Sequence, residues 1–418
     1  MYRERDISID FLGIRLDSPF ILSAAPSTDE LELAYDGLKE GWAGVILKTT
    51  SVEENPVPLK YPMMSSFGPQ SRKVTGLGNI DLISQYHIDV IEKRVKALKE
   101  SFPHKMIGAS IMGAKKEDWQ SLVHRLKKAG VDIIECSFSC PQGSMGEAPG
   151  RMLAQSVEAT EKVAGWVKEA AGDTPVLIKI TPQVTDIVEV ARAVKRGGAD
   201  GITASNTIPS LLGLDIYTFE PYPSLFGKGG YSGLSGSAIK PITLKTIAEI
   251  ARNVDIVISG NGGAFNWKDA VEFMAVGAGN VQFCTLPMHY GFRTIRDLKS
   301  GLAGYLDAMG FKSPADIVKK ALKNIYSHEE IPAPKTRAQL IEEKCVGCGL
   351  CYVACRDGGH RAIEWRSGNV PGQDDSRKPA FDEEKCPGCA MCMQVCPVDA
   401  IRMKEQMDGR CQYYEEVR

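Results

Sequence analysis

The stretch VLIKITPQVTDIVEVARAVKRGGADGITASNT (residues 176–207) joins two short apolar runs through one longer segment. The two runs, VLIKI (176–180) and GITAS (201–205), have the length and composition of buried strands. Between them, IVEVARAVKRGG has apolar residues at helical spacing and ends in two glycines, which is a normal helix stop. Strand, helix and strand in this order predict a βαβ unit with parallel strands.

The same alternation recurs through the first 310 residues, with helix-like stretches such as EDWQSLVHRLKKAG between most of the apolar runs. The other candidate strands are FILSAA (20–25), AGVILKT (43–49), MIGASI (106–111), DIIECSF (132–138), DIVISG (255–260) and NVQFC (280–284). Eight β/α units predict an α/β fold of the (β/α)8 TIM-barrel class. A doubly wound sheet is the alternative, but it usually carries a Gly-rich fingerprint after its first strand, where this chain has APSTDE.

The last quarter of the chain holds eight of the twelve cysteines, in two C-x2-C-x2-C-x3-C runs. This is the bacterial ferredoxin spacing for two [4Fe–4S] clusters, in which the fourth thiolate of each run ligates the other cluster. Structural zinc sites, the alternative, usually show C-x2-C pairs rather than these quartets. We therefore assign one cluster to Cys345, Cys348, Cys351 and Cys396, and the second to Cys355, Cys386, Cys389 and Cys392.

The composition is that of a soluble globular protein, with 43% hydrophobic and 24% charged residues in 418. A formal net charge of −2 gives no electrostatic reason to expect nucleic acid or an anionic membrane as a partner. The first residues, MYRERDISID, lack the apolar core of a signal peptide, and no apolar run reaches the roughly 18 residues of a membrane span. We therefore expect a cytoplasmic protein.

These patterns suggest a division of the chain into four parts. We expect a catalytic barrel over residues 1–310, a helical connector and linker over 311–337, a small bacterial-type ferredoxin domain over 338–408 and a tail over 409–418. The linker contains the proline-spaced IPAPKTRAQ, which indicates a stiff connection. Cys411, in the tail, fits neither cluster motif.

In a (β/α)8 barrel the active site lies at the C-terminal ends of the strands. Two of the predicted strands end in lysines, Lys48 and Lys179. Because a buried lysine is costly without an anionic partner, we expect a phosphate or an electron-rich flavin ring to lie against them. The turn SGNGG (259–263) follows the seventh strand and Cys284–Thr285 follows the eighth, which is where many such barrels bind phosphate.

Two cysteines lie four residues apart in DIIECSFSCPQGSMGE (132–147). Cys136 lies within the predicted strand and is best interpreted as a small buried hydrophobe. Cys140 lies at the strand end, before Pro141 and a Gly-rich loop. Position alone leaves Cys140 equally a reactive thiol or an inert loop residue.

Several segments together resemble the dihydroorotate dehydrogenase type of FMN barrel. They are GASIMGAKKEDW (108–119), SFSCPQG (137–143), IKITPQVTDI (178–187), GGADGITASNTI (197–208) and YSGLSGSAIKPI (231–242). With CYVACRDGGH (351–360) and the cluster motifs, nearly the whole chain resembles the catalytic subunits of the NAD-dependent dihydropyrimidine dehydrogenase family. The resemblance implies an enzyme that reduces a ring C=C, interconverting uracil or thymine and their 5,6-dihydro forms.

The resemblance also implies roles for individual residues. Cys140 would be the catalytic acid/base that protonates one ring carbon while hydride from FMN N5 reaches its neighbour. Lys179 would lie near flavin N1. The implied FMN-binding residues are Ala24, Ala25, Lys48, Thr49, Lys179, Ser205, Gly233, Gly236, Gly262, Gly263, Cys284 and Thr285. The implied substrate-binding residues are Asn79, Ser137, Ser139, Asn206 and Thr207.

The chain departs from the family pattern at two positions. Ser137 stands where the family normally has a pyrimidine-binding Asn, and Lys115 follows the third strand where another Asn is usual. A second hypothesis is therefore the same chemistry on a different cyclic or enone substrate, including an anionic one. A third is an electron-transfer flavoprotein without a substrate of its own, against which Cys140, Asn206 and Thr207 together argue.

The electrons need an entry point, and no G-x-G-x-x-G fingerprint follows a predicted strand. The resemblance implies a second subunit that carries FAD and oxidises NAD(P)H, with the clusters passing electrons on to FMN. It also implies a homodimer within a heterotetramer.

Overall fold

The computed structural model describes residues 5–52, 63–67, 74–138, 152–332, 335–366, 378–407 and 410–414. The chain forms two compact units, Met1–Ile325 and Tyr326–Arg418. Among the described residues, no helix combines the length and the apolar character needed to cross a membrane.

Parallel strands form the centre of the first unit. Its strands are β1 (Ile9–Phe11), β2 (Ile14–Leu16), β3 (Phe20–Leu22), β4 (Gly44–Thr50), β5 (Met64–Phe67), β6 (Gly76–Asn79), β7 (Met106–Ile111), β8 (Ile133–Ser137), β9 (Val176–Lys179), β10 (Gly201–Ala204), β11 (Ile208–Ser210), β12 (Ser232–Ser235), β13 (Val257–Asn261) and β14 (Asn280–Phe283). Strands β3, β4, β7, β8, β9, β10, β13 and β14 close into a barrel, in which β14 pairs with β3. The predicted (β/α)8 fold is confirmed, and each of the eight predicted strands is present.

Helices follow the barrel strands. They are α1 (Leu31–Glu40), α2 (Ile88–Ser101), α3 (Lys116–Ala129), α4 (Val157–Ala171), α5 (Ile187–Arg196), α6 (Lys240–Asn253), α7 (Trp267–Ala275), α8 (Thr285–Tyr290) and α9 (Thr294–Met309). Their ends follow local sequence signals. The Asp186 carboxylate caps α5 by accepting hydrogen bonds from the backbone N–H of Val188 at 2.8 Å and Glu189 at 3.1 Å. Helix α3 ends at Ala129, and Gly130 follows it with a φ of +94°, which suits glycine.

The barrel interior is layered. At the bottom, an apolar layer that includes Ile21, Ile133 and Leu177 packs against Phe11 of the N-terminal hairpin. Strand alternation then turns Glu135 and Ser137 inward, while Cys136 packs into the large core between the strands and the helices. An apolar base therefore supports a polar layer, on which the site is built.

A second, antiparallel sheet in the first unit has the strand order β11-β12-β6-β5. Its strands come from the long connections after β4 and after β10. The sequences GLGN, IPS and SGLS in β6, β11 and β12 have no apolar alternation, so the sequence did not predict this sheet. It matters because it brings Asn79 and Gly233 to the barrel mouth.

The second unit is small. It contains β15 (Lys335–Leu340), α10 (Leu350–Gly358), β16 (Ile363–Arg366), β17 (Lys378–Phe381), α11 (Met391–Gln394), β18 (Ile401–Met407) and β19 (Arg410–Tyr414). Strands β15, β18 and β19 form one antiparallel sheet, and β16 pairs with β17. Its core is largely cysteine, alanine and a few aliphatic side chains, including Ile363, Ile401 and Met403.

The segment after α9 packs on the first unit as far as residue 325. The backbone N–H groups of Lys319 and Ala321 donate to the carbonyls of Met274 and Ala275, at 3.1 and 2.9 Å. Within the expected connector 311–337, the structure has short 3₁₀ turns at Pro314–Ile317, Leu322–Asn324 and His328–Glu330.

Candidate active site and cluster cavities

A cavity of about 270 Å³ lies at the C-terminal ends of the barrel strands. The structure describes most of the residues that were predicted to bind cofactor or substrate, and each of those described residues lines this cavity. They are Ala24, Ala25, Lys48, Thr49, Asn79, Ser137, Lys179, Ser205, Asn206, Thr207, Gly233, Gly236, Gly262, Gly263, Cys284 and Thr285. The predicted catalytic Cys140 and the predicted substrate residue Ser139 lie outside the described residues.

Both buried lysines have carboxylate partners within the protein. Lys48 pairs with Asp81 and lies 3.7 Å from the Asp29 carboxylate. Lys179 Nζ lies 3.4 Å from Glu135 Oε1 and donates to Ser23 Oγ at 3.3 Å. The two lysines therefore have anionic partners without a bound phosphate or flavin, so their burial alone does not indicate such a ligand.

The carboxylates around Lys48 differ in their surroundings. Asp29 accepts a hydrogen bond from Ser84 Oγ at 2.6 Å, and Arg94 lies 3.8 Å from the same carboxylate. Burial raises the pKa of Asp29, and the Ser84 hydrogen bond and the nearby cations offset this only in part. Asp81 is different, because its Oδ1 is buried and accepts no hydrogen bond from any described residue. The cavity wall thus offers an unused hydrogen-bond acceptor at Asp81.

The eight cluster cysteines surround two small cavities in the second unit. Cys345, Cys348 and Cys351 share one cavity with Cys396, and Cys386, Cys389 and Cys392 share the other with Cys355. In the described part of the chain, no group of three or more His, Cys, Asp or Glu could hold a single metal ion. The backbone N–H groups of Ala362 and Ala400 donate to Cys355 Sγ at 3.3 Å and to Cys396 Sγ at 3.2 Å.

The comparisons with known proteins agree with this geometry. Residues 7–306 match the family model described as dihydroorotate dehydrogenase, and residues 338–403 match the one described as 4Fe-4S dicluster domain. The chain is 38% identical to the NAD-dependent dihydropyrimidine dehydrogenase subunit PreA of Escherichia coli K12, covering 86% of this chain and 88% of the relative.

The chain belongs to the dihydroorotate dehydrogenase family.

Two other relatives are less similar to the chain. The chloroplastic dihydropyrimidine dehydrogenase (NADP(+)) of Arabidopsis thaliana is 31% identical, covering 82% of each chain. The catalytic subunit of dihydroorotate dehydrogenase B (NAD(+)) of Pyrococcus horikoshii is 32% identical, covering 77% of this chain and 99% of the relative. This member of the dihydroorotate dehydrogenase family is a flavin- and iron–sulfur-dependent oxidoreductase that acts on a CH–CH group. Its cofactors are FMN and two [4Fe–4S] clusters.

The residues that line the barrel cavity fit FMN. Gly262 and Gly263 line it with φ of +112° and +99°, a conformation that leaves their backbone bare of side chain. A Cβ on Gly263 would come within 2.6 Å of the backbone nitrogen of Lys240, so only glycine fits there. Bare backbone in a Gly-rich turn is what a phosphate group needs for close approach.

The cysteine cavities fit the clusters equally well. Burial raises the pKa of the Cys392 thiol to about 12, so at neutral pH its thiolate form depends on coordination to iron. Backbone N–H donation to cluster sulfur is a usual way in which a protein tunes the clusters.

Some functional residues were missed from the sequence, and one proposed contact is unsupported. Asp81, Glu135 and Gln282 were not predicted, although a charged residue in an apolar strand, such as Glu135, was a usable signal. Lys115 is exposed at the start of α3 and does not line the cavity, so it gives no support to an anionic substrate. Ser137 lines the cavity, as the resemblance of its segment implies.

Proposed function

We propose that this chain is the catalytic subunit of an enzyme that interconverts uracil or thymine with the 5,6-dihydropyrimidine. The observation that carries the proposal is the single cavity, which gathers the predicted cofactor and substrate residues from seven of the eight barrel strands, their loops and the second sheet. Enzymes with this fold have their active sites at the C-terminal ends of the barrel strands, where this cavity lies.

The charge balance of the cavity favours an uncharged ring as the substrate. Lys48 and Lys179 are each neutralised by carboxylates, so neither is left to attract a substrate anion. Asp81 Oδ1 has no donor among the described residues and is available to accept an N–H, and Asn206 and Thr207 provide amide and hydroxyl groups. A pyrimidine presents alternating N–H and C=O groups on its edge, which suits this set of partners.

In the proposed reaction, bound FMN supplies the hydride chemistry at one ring carbon. Cys140 holds the proton for the neighbouring carbon, because an ordinary cysteine thiol is mostly protonated at neutral pH. Asn206 and Thr207 would orient the ring, Lys179 would be the residue that faces the flavin ring, and the glycines at 262 and 263 would hold the phosphate.

The proposed assembly is a homodimer combined with a flavoprotein subunit, in the cytoplasm. The E. coli relative is named as a subunit, and we infer that a partner with FAD and NAD(P)H feeds electrons to the clusters here. The segment between β11 and β12 leaves large apolar side chains exposed, which is typical of an interaction surface. They are Ile216, Tyr217, Phe219, Phe226 and Tyr231.

Ser137 favours a second candidate, the same reduction on another cyclic or enone compound. A serine hydroxyl is shorter than an asparagine amide and provides fewer hydrogen-bonding groups. A site that loses a buried polar partner discriminates against the compound that needs it.

The test is an anaerobic reoxidation experiment. The holoprotein, with FMN and both clusters, is reduced chemically and mixed with uracil, thymine, orotate or a simple cyclic enone, and flavin oxidation is followed by absorbance. Rapid oxidation by uracil or thymine, but not by the anionic orotate, is the expected result. Oxidation only by another compound would replace the substrate, and oxidation by none of a wide panel would favour the electron-transfer hypothesis.

A further inference from the structure

A carboxylate lies inside the barrel beside the cavity. Glu135 on β8 is fully buried, and its Oε2 accepts hydrogen bonds from Thr203 Oγ1 at 2.8 Å and Gln282 Nε2 at 3.1 Å. Its Oε1 lies 3.4 Å from Lys179 Nζ and accepts no hydrogen bond from any residue that the structure describes. Because an unpaired buried charge is very unfavourable, Glu135 and Lys179 need each other.

The same carboxylate orients Gln282. The Gln282 amide directs Nε2 at Glu135, and this nitrogen also lies 2.9 Å from Ser259 Oγ. The amide oxygen is buried and has no hydrogen-bond partner among the described residues, although Gln282 lines the cavity. Glu135 therefore contacts two residues of the cavity wall without lining the cavity itself.

We propose that Glu135 is a positioning residue that fixes Lys179 and Gln282 against FMN and offsets the positive charge of Lys179. A lone buried ammonium group beside the flavin would favour the electron-rich reduced ring strongly, since charges interact over several ångströms in a poorly screened interior. The carboxylate moderates that preference, so that the reduced cofactor still gives up its electrons to substrate. This inference rests on the placement of FMN against Lys179 in the proposed function.

The experiment uses the holoprotein with Glu135→Gln, which keeps the side-chain shape and removes the charge. The readouts are the reduction potential of FMN, titrated anaerobically against a reference dye, and the dissociation constant of sulfite. Sulfite adds to flavin N5 and leaves negative charge on the ring, so it reports on nearby charge without any substrate. We expect a higher potential and about tenfold tighter sulfite binding, the order expected for one lost charge in a buried site.

The matched control is Thr203→Val, which removes a hydrogen bond to the same carboxylate oxygen but keeps the charge. It should change sulfite affinity much less than Glu135→Gln. Equal effects of the two variants, or unchanged potential and sulfite affinity in Glu135→Gln, would overturn the proposal.

A third variant tests whether Glu135 acts through Lys179. In a Lys179→Met background, Glu135→Gln should no longer shift the potential or sulfite affinity, and a shift of undiminished size would contradict the proposal. If Glu135→Gln alone does not fold, the double variant should fold, because it leaves neither charge unpaired. Failure of both to fold would overturn the pairing.

The Lys179→Met variant also separates this inference from the proposed function. If it changes neither potential nor sulfite affinity, FMN does not lie against Lys179 and the placement itself fails. If it changes both while Glu135→Gln changes neither, only the role of Glu135 is rejected.

Discussion

The cavity in the barrel and the cluster cavities in the second unit are both built from residues that the sequence singled out, but in different ways. The eight cysteines lie within residues 345–396, and the spacing of each run already specifies its ligands. The barrel cavity takes residues from Ser23 to Thr285, so it forms only when β14 pairs with β3 and closes the barrel. The spacing of nearby cysteines specifies the cluster sites, whereas the topology of the barrel specifies the cavity.

The largest effect is expected from removing a cluster ligand. This variant tests whether the spacing of the cysteines specifies the cluster ligands. Cys386→Ala should remove one of the two clusters, about half of the bound iron, and abolish electron delivery from a NAD(P)H-oxidising partner. Iron and acid-labile sulfide per chain measure the effect. Cys411→Ala is the control, because Cys411 fits neither motif and should leave the iron content unchanged.

Double variants sharpen this test, because the two motifs exchange their fourth cysteines. Cys355 and Cys386 line the same cavity, so the double alanine variant should lose no more iron than either single variant. Cys396→Ala combined with Cys386→Ala should remove nearly all of the iron, since these residues line different cavities. The opposite pattern would mean that each motif holds its own cluster.

The next effect concerns chemistry in the barrel. Cys140→Ala should lower turnover by about 10²–10⁴-fold, the range expected for loss of a general acid, while chemical reduction of FMN is retained. Cys136→Ala is the matched control, because Cys136 packs in the core outside the cavity, where burial raises the pKa of its thiol. Stopped-flow oxidation of the reduced enzyme by substrate checks both variants, and full turnover in Cys140→Ala would remove its assigned role.

The barrel strands and the cluster ligands were predictable because each leaves a pattern along the chain. Apolar runs of strand length marked all eight barrel strands, and the lysines at strand ends marked the cavity. The sheet containing β6 and β12 was not predictable, because strands rich in glycine and serine form through pairing with neighbouring strands and leave no pattern in the sequence.

The partners of the lysines were hidden for a related reason. Asp81 is only two residues from Asn79, but it reaches Lys48 from a connection distant in sequence. Glu135 reaches Lys179 only because β8 and β9 are adjacent, with Ser137 in register with Lys179. Such pairs form only when the barrel closes, and a short segment of sequence does not show which distant residues closure brings together.

A smaller effect is expected in the Gly-rich turn that contains Gly262 and Gly263. Two glycine variants distinguish the specific role of this turn from the general cost of replacing a glycine. Gly263→Ala adds a Cβ within 2.6 Å of the Lys240 nitrogen, at a φ of +99°, and we expect loss of FMN together with a lower free energy of unfolding. Gly310→Ala also occurs at positive φ, but nothing lies within 4 Å of its Cβ. It should cost only about 1–2 kcal/mol and retain FMN. Thermal unfolding and FMN content distinguish the two, and equal FMN loss would refute the role of the turn.

The smallest effect contrasts the buried ion pairs with a surface pair that has the same chemistry. Glu92 on α2 accepts hydrogen bonds from Arg125 on α3 at 2.9 and 2.8 Å, and these bonds lower the pKa of Glu92. A carboxyl with a lowered pKa in the folded state contributes stability above its unfolded pKa and loses it as pH falls. Glu92→Gln should therefore cost about 0.5 kcal/mol near neutral pH and nothing well below pH ~4.

Urea unfolding at both pH values measures the Glu92 contribution, with Glu100→Gln as the control. Glu100 is exposed on the same helix and forms no ion pair with the residues that the structure describes. A cost for Glu92→Gln that is equally large at low pH would mean packing rather than charge. A cost of several kcal/mol would erase the contrast with Glu135, because solvent would then screen the surface pair no better than the barrel interior does.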